Sequence, residues 1–92
     1  MVNQVILVGK VTKVSAETLG SIGDVVWVYV ETENLNATPI LLQGGLAKSS
    51  SQINVGMTIG IKARLAYIFD AANEELIIQA EKMTFISNKG YE

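Results

Sequence analysis

Apolar and polar residues alternate with a period of two along much of this chain. The clearest case begins at Met57, where every second residue up to Leu65 is apolar and the residues between them are polar or small. Such alternation is typical of a β-strand with one buried face. We therefore predict a strand from Met57 to Leu65, with Leu65 as its last buried residue and with an extension through Phe69.

Four other segments have the composition of strands. They are Val2–Val14, Val25–Glu31, Ile40–Leu42 and Glu75–Ile86. The first is rich in β-branched residues and apolar on both faces near its start, which indicates that both faces are covered there. By its alternation Lys13 shares a face with Val11, and Gly9 in the middle of the strand indicates a bulge or a bend.

The segments between these strands are rich in turn residues. Ser15–Asp24 contains two glycines and is predicted as a loop, and Asp70–Glu74 is predicted as a hairpin turn. Residues 46–53 have few apolar positions and predict about two turns of marginal helix. The tally is five strands with one short helix between the third and the fourth. This layout predicts an all-β OB-fold, a five-stranded Greek-key barrel, as a single domain over residues 1–92 with a short polar tail at 87–92.

Composition narrows the possible chemistry. The chain has 92 residues, of which 49% are hydrophobic and 17% charged, so it is globular. It has neither cysteine nor histidine, which removes disulfides, thiolate chemistry and the commonest metal ligand and general base. We therefore expect no enzymatic activity, no cofactor and no metal site. The net charge of −2 argues against a strongly electrostatic nucleic-acid binder, because such domains are usually basic.

The distribution of apolar residues gives an expectation for where in the cell the protein is located. No apolar run approaches the roughly 18 residues that a membrane-spanning helix requires. The N-terminus also lacks the charged and then apolar layout of a signal peptide. We therefore expect a cytoplasmic protein with no membrane partner.

Three segments carry a resemblance to a known family. Asn3–Lys10, with the sequence NQVILVGK, is similar to the opening strand of bacterial single-stranded-DNA-binding proteins. Ile40–Leu65 resembles their next segment, with an apolar strand, a glycine, Leu-Ala, a short helix and a strand that ends in an Arg-Leu pair. Ala80–Ile86 resembles their closing strand. The resemblance covers about residues 2–86 and implies an oligomeric OB-fold, a homodimer or homotetramer, that coats single-stranded DNA in replication, recombination or repair.

The chain departs from this family at the positions where bases stack on aromatic rings. Those positions hold Asn36, Ala37, Gln43 and the Phe69–Asp70 pair, so only Phe69 can keep that role. Other replication proteins are candidate partners. However, the sequence ends at Glu92 without the acidic tip with which the family recruits them.

Binding a single strand without sequence preference requires cations along the phosphates and flat rings for the bases. Lys62 and Arg64 share the outward face of the fourth strand, and Lys10 is placed to join them. Each is either a phosphate contact or a solvated surface cation. With only these few cations, we expect weak binding with a shallow salt dependence. The full candidate set for nucleic-acid binding is Lys10, Lys13, Trp27, Tyr29, Lys62, Arg64, Tyr67 and Phe69.

The candidate rings form two pairs. Trp27 and Tyr29 project opposite the valines of the second strand, where they form either a stacking platform or part of a subunit interface. Tyr67 and Phe69 lie near the tip of the last hairpin, where they either stack on bases or pack against a neighbouring subunit. We expect the first strand to mediate self-association, because an unpaired strand edge is a template for pairing with another chain.

Two function classes follow from these features. The first is non-specific, non-catalytic binding of single-stranded DNA. The alternative is an OB-fold module for protein–protein assembly, such as a primosome-type accessory subunit with weak affinity for DNA. The near-full-length resemblance favours the first, and the acidity and the missing aromatics favour the second.

Overall fold

Five strands close into a barrel in the computed structural model, which describes residues 2–20, 22–70 and 73–87. The strands are β1 (Val5–Leu19), β2 (Gly23–Glu31), β3 (Thr38–Leu42), β4 (Thr58–Asp70) and β5 (Asn73–Ser87). Around the barrel they follow the order β1-β2-β3-β5-β4. Neighbouring strands are antiparallel except β3 and β5, which are parallel. A single short helix lies between β3 and β4, so the predicted OB-fold is confirmed.

The alternation in the sequence accounts for the interior of the barrel. The inward-facing side chains of β2, β3 and β4 are almost completely buried. They include Val28, Val30, Ile40, Leu42, Ile59, Ile61 and Ala63. Burial of each of the larger aliphatic side chains contributes about 1.5–3 kcal/mol. This one apolar core holds the strands together, and it leaves their outer faces free to differ from one another.

The helical connection is as short as its sequence suggests. Helix α1 spans Gly44–Lys48 and is followed by a 3₁₀ turn over Ser49–Gln52. Ile53 and Met57, which come next, are buried in the barrel core. This connection therefore closes one end of the barrel. No helix in the described residues is long and apolar enough to cross a membrane.

The first hairpin is longer than predicted. β1 does not stop at Val14 but pairs with β2 as far as Leu19, which lies opposite Gly23. The prediction of a loop over Ser15–Asp24 is therefore wrong for most of its length. Ala16, Glu17 and Thr18 remain exposed although they pair with β2, so this part of β1 lacks the apolar alternation from which a strand is predicted.

A β-bulge in β1 changes which side chains face outward. The register passes from Val11 opposite Val30 to Lys13 opposite Tyr29, so Thr12 is an extra residue. An extra residue reverses the alternation beyond it. Lys13 consequently points outward, and its predicted placement on the face of Val11 is wrong.

Gly9, where the sequence predicted a bulge or a bend, has a different role. The bulge lies three residues further on, at Thr12. A Cβ atom at Gly9 would overlap the carbonyl oxygen of Glu31 and lie 2.7 Å from Val30 Cγ1. Glycine is therefore required at this position because β1 and β2 approach each other closely.

β4 leaves the barrel earlier than predicted. Ala63 is the last of its described residues to be fully buried, whereas Leu65 is 43% exposed. The prediction that Leu65 is the last buried residue is therefore wrong. Beyond the barrel it is the opposite face of β4, with Ala66 and Ile68, that packs against other strands.

That packing forms a second, smaller apolar cluster, which we call the hairpin cluster. Its buried members are Val25, Leu41 and Ile77. The partly buried side chains packed on them are Leu19, Ile22, Trp27, Ala66 and Ile68. Because these residues come from the β1–β2 hairpin, from β3 and from the β4–β5 hairpin, the cluster holds the two hairpins against the outside of the barrel.

Candidate nucleic-acid interface

A groove lies on the outer surface of β2 and β3, beside the hairpin cluster. We call this surface the ring face, because Trp27 and Tyr29 both line it. The groove encloses about 420 Å³. Its lining residues are Ser15, Glu17, Trp27, Tyr29, Thr38, Pro39, Leu65, Glu75, Leu76, Ile77 and Ile78. The walls are mainly apolar or aromatic, as is usual in a ligand-binding groove.

Trp27 is held in place from two sides. Its ring packs against the hairpin cluster and remains partly exposed. Its indole N–H donates a 2.7 Å hydrogen bond to Glu17 Oε2 on the neighbouring strand. Because the indole has one donor and that donor is used, the part of Trp27 that remains available to a ligand is the face of its ring.

Tyr29 lies two residues further along β2 on the same face and is also partly exposed. The bulge at Thr12 places Lys13 directly opposite it in the β1–β2 ladder. Lys13 Nζ lies 5.3 Å from the centre of the Tyr29 ring, within the range of a cation–π contact. Of the predicted site residues, the structure therefore brings Lys13, Trp27 and Tyr29 together.

The other predicted cations are not in the groove. Lys10, Lys62 and Arg64 are all exposed, but none of them is among its lining residues. Lys62 and Arg64 lie on the outer face of β4, as predicted. Lys10 pairs with Thr58 whereas Lys62 pairs with Ile6, so four positions of the β1–β4 ladder separate the two lysines.

The second pair of predicted rings lies on the β4–β5 hairpin. Tyr67 is 58% exposed and pairs with Leu76, which lines the groove, although Tyr67 itself does not. The side chain of Phe69 lies outside the described part of the structure. The proposed role of this pair remains a prediction.

Three polar side chains form a row that runs from Gln43, directly after β3, through Gln79 on β5 to Arg64 on β4. We call it the donor row. Gln79 Nε2 donates a 2.6 Å hydrogen bond to Gln43 Oε1, and Arg64 Nη2 donates a 3.4 Å hydrogen bond to Gln79 Oε1. The only sequence signal for Gln79 is that it interrupts an apolar run from Leu76 to Ala80. Its two partners become visible only when the strands are in register.

A different surface lies on the outside of β1, β4 and β5. We call it the lysine face, because Lys62 and Lys82 lie directly opposite each other there. Beside them Ile6 is 68% exposed and Val8 56% exposed. A shallow depression of about 250 Å³ lies between these residues and Thr84, with Gly60 in its lining. A Cβ atom at Gly60 would lie 3.3 Å from Ile86 Cδ1 and 3.8 Å from Val8 Cγ2, so there is little space for a larger side chain at this position.

Within residues 2–20, 22–70 and 73–87, no group of three or more His, Cys, Asp or Glu side chains is arranged to hold a metal ion. The polar groups of the groove are instead placed around aromatic and aliphatic side chains. The arrangement is suited to binding flat or apolar groups.

Comparisons with known proteins agree with this geometry at the level of the fold. No family model matches the sequence, and no curated protein matches it either. Among solved structures, the chain is similar to the mitochondrial single-stranded DNA binding protein Rim1 of S. cerevisiae, with a TM-score of 0.67 and 11% sequence identity. The similarity covers 92% of this chain and 96% of the Rim1 chain. At this identity the likeness shows that the two chains share a fold.

Proposed function

We propose that this protein binds single-stranded DNA without sequence preference, as a relative of the single-stranded-DNA-binding proteins that act in replication, recombination or repair. The observation that carries the proposal is the pairing of Trp27 and Tyr29 in one groove. Two residues apart on one strand, their Cα atoms are separated by about 6–7 Å. Each base that stacks on such a ring contributes about 1–3 kcal/mol, whatever its identity, because every base has a flat face.

The charges around the groove indicate that stacking dominates this binding. Lys13 is the cation that the structure places at the rings, and the charged residues in the described lining are Glu17 and Glu75. Each neutralised phosphate adds about −0.7 to the slope of log affinity against log salt on a single strand. We therefore propose weak binding with a shallow salt dependence.

Self-association is the second part of the proposal. β2 pairs with β1 only from Lys10 onward, so in the described residues Val5–Gly9 pair with β4 alone. This segment therefore has an open strand edge, and it also carries the exposed Ile6 and Val8. An open edge beside exposed apolar side chains favours pairing with a second copy. We propose a homodimer or homotetramer assembled through the first half of β1.

A second candidate function is a module for protein assembly with little affinity for DNA. The observation in its favour is the acidity of the groove, since Glu17 and Glu75 line the same cavity as the apolar residues. A phosphate backbone is repelled by such carboxylates, whereas an apolar peptide with basic residues is attracted. Replication proteins are candidates for such a partner.

Trp27 permits a direct test of the proposed function, because it is the only tryptophan of the chain. Its fluorescence is titrated with oligo-dT at low and at moderate salt, and with a duplex of the same length as a control. We expect a saturable change with oligo-dT, little change with the duplex and a small shift of affinity between the two salt concentrations. The absence of any response to oligo-dT at low salt would contradict DNA binding in the groove and leave protein assembly as the better candidate.

A further inference from the structure

We infer that the donor row of Gln43, Gln79 and Arg64 is a binding site for phosphate groups of the DNA backbone. The inference rests on the proposed function and extends it, because these residues lie beyond the groove in which the bases stack. Its chemical basis is the direction of the two hydrogen bonds that join the row.

The direction of these hydrogen bonds follows from Arg64. A guanidinium group has only donors, so the Gln79 atom that faces it must be the amide oxygen. The amide nitrogen of Gln79 then faces Gln43, whose oxygen must accept. Each amide oxygen therefore already accepts one hydrogen bond within the row and keeps one further lone pair. The larger number of groups left over are N–H donors, namely those of the Gln43 amide, the second N–H of Gln79 and the rest of the guanidinium.

A surface that offers donors and a positive charge is suited to a ligand that offers acceptors and a negative charge. Phosphodiester oxygens have these properties, and planar guanidinium groups bind them well. Arg64 is exposed and Gln43 and Gln79 are partly exposed, so the row is open to such a ligand. A base edge, which alternates donors and acceptors, matches it less well.

The strand register places this row in line with the rings. Trp27 lies opposite Leu41, Leu41 lies opposite Gln79, and Gln79 lies opposite Arg64. Since neighbouring strands lie about 4.8 Å apart, Gln79 is about 10 Å across the sheet from Trp27. Leu41 lies between them, is buried in the hairpin cluster and has no polar side-chain group that would need a hydrogen-bond partner. A DNA strand whose base stacks on Trp27 and whose backbone continues across the hairpin cluster, which covers Leu41, reaches Gln79 and Arg64.

A purely structural role is the alternative. The described pairing of β3 with β5 consists of two residue pairs, and the hydrogen bond from Gln79 to Gln43 reinforces it. If the row has only this structural role, a substitution in it lowers the melting temperature of the protein and does not alter the salt dependence of DNA binding. The salt slope therefore separates the two roles.

Two substitutions test the site. Gln79→Glu keeps the shape and the acceptor for Arg64 but replaces the amide nitrogen, which donates to Gln43 and carries the free N–H, with a negatively charged oxygen. Arg64→Gln removes the cation from an exposed position. For each variant we expect affinity for oligo-dT to fall about tenfold and the salt slope to become shallower by about 0.7, the value for one phosphate contact. The matched control is Gln52→Glu, the same change on the exposed side chain in the 3₁₀ turn, for which we expect less than a twofold effect. Unchanged slopes in both row variants would overturn the inference.

A second measurement examines the row directly in the unmodified protein. The side-chain amide signals of Gln43 and Gln79 are followed by NMR during titration with oligo-dT and, separately, with tripolyphosphate. Shifts with oligo-dT support the inference, even if the fluorescence of Trp27 stays constant and the proposed groove function fails. Silent amides while Trp27 responds overturn the inference and leave the proposed function standing. Shifts with tripolyphosphate but not with oligo-dT overturn the assignment to DNA, because the row then binds a free polyphosphate.

Discussion

The ring face and the lysine face are outer surfaces of the same barrel, yet they differ in almost every property that matters for binding. The ring face carries Trp27 and Tyr29 above a buried apolar cluster, with carboxylates in its groove. The lysine face carries exposed Ile6 and Val8 on the open half of β1, beside Lys62 and Lys82. Rings for stacking are thus on one surface, and the exposed aliphatic side chains of β1 are on another.

This difference suits each surface to a separate part of the proposed function. Stacking requires ring faces that remain accessible after the protein has assembled. Self-association requires apolar area and backbone groups that have no partner within the chain. On the proposed function the same barrel accommodates DNA binding and assembly on different faces, so a change on one face should leave the other intact. Substitutions confined to one face test this independence.

The largest effect is expected from charges on the lysine face. The double change Ile6→Glu and Val8→Glu places carboxylates where we propose that a second copy packs. Burial of an uncompensated charge costs about 3–5 kcal/mol, so the oligomer should dissociate at micromolar concentration. Sedimentation measures the mass, and Val55→Glu, another exposed aliphatic position on a different segment, is the matched control. A parent protein that is already a monomer at this concentration would contradict the proposed assembly.

The next largest effect is expected from a ring of the groove. Tyr29→Ala should weaken binding to oligo-dT by about 1–3 kcal/mol, since one stacked base is lost. Its mass in sedimentation should not change. Fluorescence titration provides the affinity, and a melting curve shows that the fold is retained.

Tyr67→Ala is the matched comparison, because Tyr67 is an exposed ring that does not line the groove. We expect its effect to be smaller than that of Tyr29→Ala. A larger effect would show that the β4–β5 hairpin, with Tyr67 and Phe69, is the stacking platform instead. The double change Tyr67→Ala and Phe69→Ala then measures the full contribution of that hairpin.

Alternation along the sequence was sufficient to predict five strands and most of the inward face of the barrel, and the sparse apolar positions of residues 46–53 predicted the short helix. It succeeds there because the side-chain direction of a strand is a local property with a period of two. The same reasoning placed Lys13 on the inner face, because no local feature of the sequence indicates the extra residue at Thr12. This one bulge accounts for the wrong predicted position of Lys13, the cation that lies nearest to the rings.

The candidate site was less accessible to prediction, for a related physical reason. Trp27 and Tyr29 could be paired from their spacing along one strand. Gln43 and Gln79 could not, because their contact depends on the parallel register of β3 and β5, which are separated in the sequence. Contacts across strands that are not sequence neighbours were therefore the part that the sequence left open.

A smaller effect is expected when the cations of the two faces are compared. The double change Lys62→Gln and Lys82→Gln removes the opposed lysines of the lysine face, whereas Lys13→Gln removes the cation at Tyr29. If DNA follows the ring face, Lys13→Gln should make the salt slope shallower by about 0.7 and the double change should leave it unchanged. A reduction of the slope by about 1.4 in the double variant would show that the strand crosses the lysine face.

The smallest effect is expected at Glu17, and it bears on why the groove is acidic. Glu17 accepts the hydrogen bond of the Trp27 indole, so the residue holds the ring and at the same time places a negative charge beside it. Glu17→Gln separates these two actions, because the amide oxygen still accepts from the indole while the charge is lost. Removal of one exposed like charge should strengthen binding to oligo-dT by about 0.2–1 kcal/mol at low salt, the scale of exposed ion pairs, and the gain should disappear as salt is raised. Glu17→Ala loses the acceptor as well, so Trp27 is released and any electrostatic gain is offset by a less ordered ring. Weaker binding of oligo-dT in both variants would contradict this electrostatic argument, and would show that the carboxylate supports DNA binding by holding the Trp27 ring more than its charge opposes it.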